Sequence, residues 1–495
     1  MKKMKNMAGA LAIAVALASM TTACSNEDEF AVTETAQQAQ RNVQFSINAT
    51  IGDEGATRAV VETDGTTHKL KFGTGDKLFV YKQVVVGGVG KYMRGMLNAT
   101  SIAADGKSAT FSGSITLPAG YTGAFTPEDA VATLIPANGE DNFVINDNDD
   151  NSVNVEWKAG ASQEAIDDAI AKYSYAKGTL SNTGAVTLQP GSAFLKCHIT
   201  GLDAVKCYAA AVKQNNKMIG CGSVTSDASG NADFVAWIET STTSQDYALE
   251  LYYMEKKHSI SLGSRTVSAK VYNATKAAGE SVSNDFEILK DGNVYEKESW
   301  QLKYILTSGT FYIKGYYTTI PVSVSDNAKL ILNSASLASY GDSGIGLEIN
   351  STTTLTVNGE SYFSGSNYSI YASSNFTVNG KGILKSKISC NNNVSNILVD
   401  GGATVNVPQG NFYMGKDDAT LTIDGGSTVN LFEDAGFSGC KIPNIIIKKG
   451  TFKYLETDYY ISINKNKINH IYGPDGTTEL TTYTADGNYR IYTVN

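Results

Sequence analysis

The chain has 495 residues, with 40 Lys and Arg against 49 Asp and Glu, a net charge of -9 and a pI near 5.2. An acidic chain with no basic stripe interleaved with aromatics excludes nucleic acid as a partner. Besides Cys24, the cysteines are Cys197, Cys207, Cys221, Cys390 and Cys440; that odd set has no C-x-x-C pair, which indicates neither a disulfide framework nor a zinc site.

The N-terminus reads as a secretory signal over 1–23: Lys2, Lys3 and Lys5, an apolar run from Ala8 to Ala18, then small residues. Met20-Thr21-Thr22-Ala23-Cys24 resembles a bacterial lipobox, which implies that Cys24 is acylated (palmitate or a similar chain) and opens the mature protein. Ser25-Asn26-Glu27-Asp28-Glu29 is similar to the acidic signal that sends lipoproteins of some Gram-negative anaerobes to the outer face of the outer membrane. Residues 24–42 are then a lipidated polar tether.

From Val43 short alternating runs appear between Gly, Asp and Asn: Val43-Gln44-Phe45-Ser46-Ile47, Lys69-Leu70-Lys71-Phe72, Lys77-Leu78-Phe79-Val80-Tyr81 and Ala109-Thr110-Phe111. The alternation predicts an antiparallel sandwich over 43–189. One helix is predicted from Ser162 to Lys172, capped by Ser162, with Ala165, Ile166, Ala169 and Ile170 as its apolar stripe. Asp167 and Asp168 on it read as a solvated face, since adjacent helical residues do not converge. A second sandwich is predicted over 190–290, with Ala193–Ile199 and Tyr247–Tyr253 among its strands.

Gly55-Ala56-Thr57-Arg58-Ala59, then Phe72-Gly73-Thr74-Gly75-Asp76-Lys77-Leu78-Phe79-Val80-Tyr81, resembles the opening of the fimbrillin family. Gly191-Ser192-Ala193-Phe194-Leu195-Lys196 and Ile199-Thr200-Gly201-Leu202 are similar to the entry of that family's second domain. The resemblance, over roughly residues 40–290, implies two transthyretin-like β-sandwiches on a surface lipoprotein. In pilus-forming members, Arg-specific proteolysis removes the first strand and leaves a groove for the next subunit's donor strand. Carried over, the cleavage falls at Arg58, with Arg41 as the alternative, and the partners are other fimbrial subunits joined by strand addition. The family's donor strand lies at the C-terminus, whereas about 200 residues follow here. A subunit that accepts a strand without donating one belongs at a fibre end.

Residues 291–315 form a junction or cap, with a helix expected over Lys297–Leu306. Beyond it one phrase repeats: Leu330-Ile331-Leu332-Asn333, Leu355-Thr356-Val357-Asn358-Gly359, Phe376-Thr377-Val378-Asn379-Gly380, Ile397-Leu398-Val399-Asp400-Gly401, Leu421-Thr422-Ile423-Asp424-Gly425 and Ile445-Ile446-Ile447-Lys448. The starts lie 25, 21, 21, 24 and 24 residues apart, a spacing of stacked repeats. Alternate apolar residues give one inward column, and Phe363, Leu384, Val405 and Val429, each four residues after the glycine, give a second. The pattern predicts a right-handed parallel β-helix over 316–495, three strands per coil, closed by a C-terminal cap. The fold class is therefore all-β: two transthyretin-like β-sandwich domains followed by that β-helix.

The Asn/Asp-Gly series reads as a turn ladder and not as a metal site. β-helices of this kind resemble pectate-lyase-like enzymes, yet residues 320–455 contain neither His nor Arg, and the lysines do not recur beside carboxylates. Gly341-Asp342-Ser343-Gly344 resembles a serine-nucleophile loop but has no accompanying histidine motif. No enzyme, cofactor or metal is expected; a polysaccharide lyase or glycoside hydrolase is the alternative, and a ligand-free structural pilus subunit a third reading. Tyr362, Tyr368, Tyr371, Phe412 and Tyr413 fall outside the inward columns, as do Tyr454, Tyr459 and Tyr460. With Asn, Ser and Lys around them they are candidates for glycan or receptor contact. The expected protein is a cell-surface, outer-membrane lipoprotein serving as an adhesin or a fimbrial tip or accessory component.

Overall fold

The computed structural model describes residues 39–52, 70–146, 151–299, 301, 303–315, 321–339, 345–365, 368–408, 412–431, 441–455, 468–487 and 489–495. Cys24, Arg58, Cys440, the Gly341–Gly344 loop, Tyr459 and Tyr460 lie outside them. The chain is nearly all β, with a single α-helix among the described residues.

Seven strands close a barrel in the order Arg41–Ile51, Ala185–Pro190, Ala176–Thr179, Val131–Ile135, Lys77–Val86, Val89–Ile102 and Ser108–Leu117. Alternation decides the buried face but not whether a sheet closes, so where a sandwich is predicted the hydrogen bonds form a ring. Ile47, Leu78, Met93, Leu97, Phe111 and Ile115 fill it. The first strand is bonded on both sides, antiparallel to Ser108–Leu117 and parallel to Ala185–Pro190.

A nine-stranded sheet follows, ordered Val271–Ala277, Ser192–Thr200, Ala232–Glu239, Ala159–Ser162, Lys217–Thr225, Cys207–Gln214, Ser241–Tyr253, Lys256–Val267 and Val282–Ser283. Ala159–Ser162 sits in its middle, antiparallel to one neighbour and parallel to the other. Ser162 is thus the end of a strand and not a helix cap. The helix runs Ile166–Tyr173, with Ala165 at its N-cap and no side-chain cap bond. Of the expected stripe, Ala169 and Ile170 pack on Phe194, Val235, Trp237 and Val271 with Ile166 partly buried beside them, whereas Ala165 is exposed at the N-cap; Tyr173 stacks on Trp237 with centroids 3.7 Å apart. Asp167 and Asp168 occupy its first turn, where the helix dipole favours them.

The helix expected over Lys297–Leu306 does not form; Tyr304–Leu306 is a strand. From there the chain winds through three sheets in turn. The first face takes Lys329–Asn333, Thr353–Asn358, Phe376–Gly380, Asn396–Val399, Thr420–Ile423 and Ile442–Ile447. The second takes Ser336–Ser339, Glu360–Gly365, Ile383–Ser386, Thr404–Val407, Ser427–Leu431 and Gly450–Leu455, and the third Tyr304–Leu306, Val322–Val324, Ile345–Ile349, Tyr368–Ala372, Ile388–Cys390 and Phe412–Met414. Successive strands on every face are parallel. The apolar residue of each phrase and its partner two places on, from Leu330 and Leu332 to Ile445 and Ile447, are buried in one continuous core.

The register holds from phrase to phrase except once. Leu355 pairs with Val378 and Thr353 with Phe376, a two-residue slip. A slip of two leaves every side chain on its own face, so the core tolerates it. Its consequence appears in the second column, which runs Ser361, Leu384, Val405, Val429 and Phe452, with Phe363 two places along beside Ser386. The C-terminal strand Tyr489–Val494 turns antiparallel onto Gly450–Leu455 and covers that edge.

Candidate functional site

The coil meets the nine-stranded sheet through its own turns. Asn333 and Asn358 are 0% and 5% exposed. The Asn358 amide donates to Asn333 Oδ1 at 3.0 Å and to Cys221 Sγ at 3.1 Å. Ser334 Oγ donates to Tyr252 O at 2.8 Å, and Gly359 N to Ser223 Oγ at 3.1 Å. Lys381 Nζ reaches Glu164 Oε1 at 2.8 Å and Ser162 Oγ at 3.4 Å. Burial opposes ionisation of Glu164, but the Lys381 hydrogen bond and charge, with Lys172, outweigh it and hold the carboxyl below its ordinary range. The coil is therefore latched to the sheet and does not hang from a tether.

Burial pushes the Cys221 and Cys390 thiols up to about 12 and Cys207 to about 11. All three are neutral at physiological pH and act as small packing groups, not nucleophiles. Among the described residues no three His, Cys, Asp or Glu side chains stand where they could hold one metal ion. Asp400 and Asp424 accept their own turn amides, Gly401 N at 2.6 Å and Gly425 N at 2.8 Å.

The aromatic candidates divide by face. Phe412 is 1% exposed, inside the core; it is no surface contact, because it and Tyr413 are adjacent on one strand and must point to opposite sides. Tyr362 is exposed on the second face, in register with Lys385. The strand holding Tyr368 is on the third face, but the Tyr368 side chain lies outside the described residues. Tyr454, half-buried, stacks on Tyr492 of the covering strand.

Tyr371 and Tyr413 share one outward column of the third face. In register it reads Glu348, Tyr371, Ser389, Tyr413 and Lys441. Glu348 is paired with Lys303 at 2.6 Å, and Lys441 with Asp417 at 2.7 Å. Lys441 also lies 5.7 Å from the Tyr413 ring centroid. The charges at both ends are thus matched locally, leaving two tyrosines and a serine between them. The sequence placed these tyrosines off the inward columns but could not tell which of them share a face.

No known family matches the chain by sequence, and no curated protein does. Among solved structures it is similar to a putative cell adhesion protein from Bacteroides fragilis, at 11% identity over 52% of this chain and 98% of that one, TM-score 0.22. It is also similar to a fimbrial assembly protein from Parabacteroides distasonis, at 12% identity over 52% and 100%, TM-score 0.24. A third is a C-terminally truncated tip fimbrial protein from Porphyromonas gingivalis, at 9% identity over 45% and 81%, TM-score 0.19.

Proposed function

We propose that this chain is a fimbrillin-like cell-surface lipoprotein, held in the outer membrane through Cys24, that acts as an adhesin or as a fimbrial tip or accessory component. In this reading the barrel and the nine-stranded sheet are its two fimbrillin-type domains. The three-faced coil is a right-handed parallel β-helix that contacts a glycan or surface receptor. The observation that carries the reading is the outward column of Tyr371, Ser389 and Tyr413, in which Tyr413 is exposed and the charges at the two ends are matched locally, on a module latched to the body by Asn358, Ser334 and Lys381. A latched module holds its outer face in fixed orientation, which suits contact with another surface. The test is an array of glycans and extracellular receptors probed with residues 25–495, together with immunogold labelling of intact cells. Binding and surface label are expected; a blank array with no label refutes the proposal.

A second reading, assembly with other fimbrial subunits, is favoured by the strand Arg41–Ile51. Bonded on both sides, it is the piece whose loss after cleavage at Arg58 would open the barrel between Ala185–Pro190 and Ser108–Leu117 and empty the core places of Ile47 and Ala49. N-terminal sequencing of the surface protein decides it. A free Ala59 marks a processed subunit, and a blocked Cys24 an anchored lipoprotein that keeps its first strand.

A further inference from the structure

One hairpin of the barrel runs past its rim. Lys77–Tyr81 pairs with Val131–Ile135 on one side and Arg94–Ile102 with Ala109–Thr116 on the other, but Lys82–Val86 and Val89–Met93 pair only with each other. The tip at Val86 thus stands five residues, about 16 Å, beyond Tyr81. It reads Gln83-Val84-Val85-Val86-Gly87-Gly88-Val89-Gly90, without a charge. The lysines on either side are tied back to the loop at the barrel mouth, Lys82 to Thr126 O at 3.2 Å and Lys91 to Ala119 O at 3.1 Å. Val85 is 72% exposed and Val89 54%. Val85 lies opposite Gly90 and Val86 opposite Val89, so the tip is apolar on both of its faces. Gly87 and Gly88, at φ +59° and +83°, close it with a two-residue turn, and among the described residues nothing lies within 4 Å of a Cβ placed on either.

The same end of the barrel receives the chain from its N-terminal side. Arg41 opens the first strand beside Leu117, and its guanidinium donates to Tyr121 O of the mouth loop at 3.3 Å. Only residues 25–40 separate Arg41 from Cys24, a reach of at most about 55 Å. We propose that the Val84–Gly90 tip is a second membrane contact, entering the headgroup boundary of the bilayer that holds Cys24. The proposal rests on the lipoprotein reading above and adds which end of the barrel meets the lipid. A groove on a protein partner covers one face of a two-stranded ribbon and leaves the other in water. A tip that is apolar on both faces, with a bare turn between them, is fully covered by immersion in an apolar medium. Its depth is shallow, because the amides of Gly87 and Gly88 need water or headgroup oxygens. A few valines hold weakly alone, but the anchor keeps their concentration at the surface high, so that the two contacts reinforce each other.

The experiment tethers residues 25–495, with an N-terminal hexahistidine tag in place of the acyl chain, to vesicles of phosphatidylethanolamine and phosphatidylglycerol that contain a nickel-chelating lipid. A polarity-sensitive dye is placed at Val85→Cys or, as the control, at Ala104→Cys, an exposed position in the hairpin at the opposite end of the barrel; both chains carry Cys440→Ser. The Val85 dye shifts to the blue, is quenched by a quencher carried in the acyl chains and is shielded from iodide, while the Ala104 dye does none of these. Val89→Asp returns the Val85 dye to water, and an unchanged melting temperature excludes misfolding as the cause. A Val85 dye that stays open to iodide on tethered chains overturns the proposal. So does one that shifts without vesicles in a chain that elutes as a dimer, which would make the tip a contact between copies. Because the tag replaces the lipid, a silent dye sinks the tip alone. An unacylated Cys24 in the native protein sinks the lipoprotein reading and the proposal with it.

Discussion

Two ends of one turn ladder are put to different uses. Asn333, Asn358 and Gly359 close their turns against the nine-stranded sheet, buried among Cys221, Ser223 and Tyr252. Asp400 and Asp424, in equivalent phrases further along, close theirs near water, each bonding the glycine amide that follows. The residue type changes where the surroundings change. A buried turn takes the neutral amide, which can donate and accept without the cost of desolvating a charge; a wet turn can carry the carboxylate. The two-residue slip at Phe376 marks the division, for it pairs Asn379 with Thr356 and so takes it off the Asn333 and Asn358 stack. A repeat therefore specifies the turn, while a partner far away in sequence specifies what the turn touches.

Glycine substitutions should separate the two ends most widely. Gly359 has φ +65°, and a Cβ there would meet backbone of the facing sheet, with Tyr208 C at 2.8 Å and Ala209 N nearer still. Gly426 has φ +79° with nothing within 4 Å of its Cβ position. Gly359→Ala combines left-handed strain with a backbone clash, costing about 3–5 kcal/mol, whereas Gly426→Ala meets the strain alone, about 1 kcal/mol. Chemical denaturation of both variants measures the gap; equal losses would mean that the turn at Gly359 is not held against the sheet.

Asn358→Asp is the next largest. It removes the donor to Asn333 Oδ1 and Cys221 Sγ and places a carboxylate in a buried turn against neutral partners, a cost of about 3 kcal/mol or more. The introduced acid is forced toward its neutral form, so the loss should shrink as pH falls toward 4. A loss that is flat with pH would show that the group reaches water.

The contrast also explains what could be read from the sequence. Each coil strand finds its partner about one repeat away, so Leu330 and Leu355, or Val399 and Ile423, announce their pairing locally. The slip at Phe376 is silent, because a shift of two preserves the inward pattern. Ala159–Ser162 is silent for another reason: four small residues show no alternation, and their partners lie near positions 220 and 236. On the third face no Asn-Gly marker sets the phase, which is why Phe412 and Tyr413 could both be taken as outward. The shared column of Tyr371 and Tyr413 depends on rung order and was legible only as two aromatics outside the core.

Glu164 and Lys381 give a smaller, titratable test of the same latch. The lowered carboxyl means that the folded state favours the charged form, so the contribution is present above the ordinary glutamate value of 4.5 and is lost as pH falls through the lowered folded value. Glu164→Gln should lower the melting temperature at pH 7 and converge on the parent protein as pH falls below 4.5. Divergence that grows on acidification would reverse the sign and remove Glu164 from the latch.

The smallest effect belongs to the wet end. Asp400→Ala removes one acceptor, the Oδ1 that Gly401 N meets at 2.6 Å. That amide is at the surface, so water replaces the carboxylate and the net loss is about 0.5–1 kcal/mol. Asp400→Asn should recover most of it, since an amide oxygen closes the same turn. The matching exchange at Asn358 is costly because that turn is buried and its partners Asn333 and Cys221 are neutral. If Asp400→Asn were as costly as Asn358→Asp, the ladder would be one uniform structure with a single requirement at every rung. A cheap exchange at 400 and a costly one at 358 is what a repeat with one docked end and one solvated end requires.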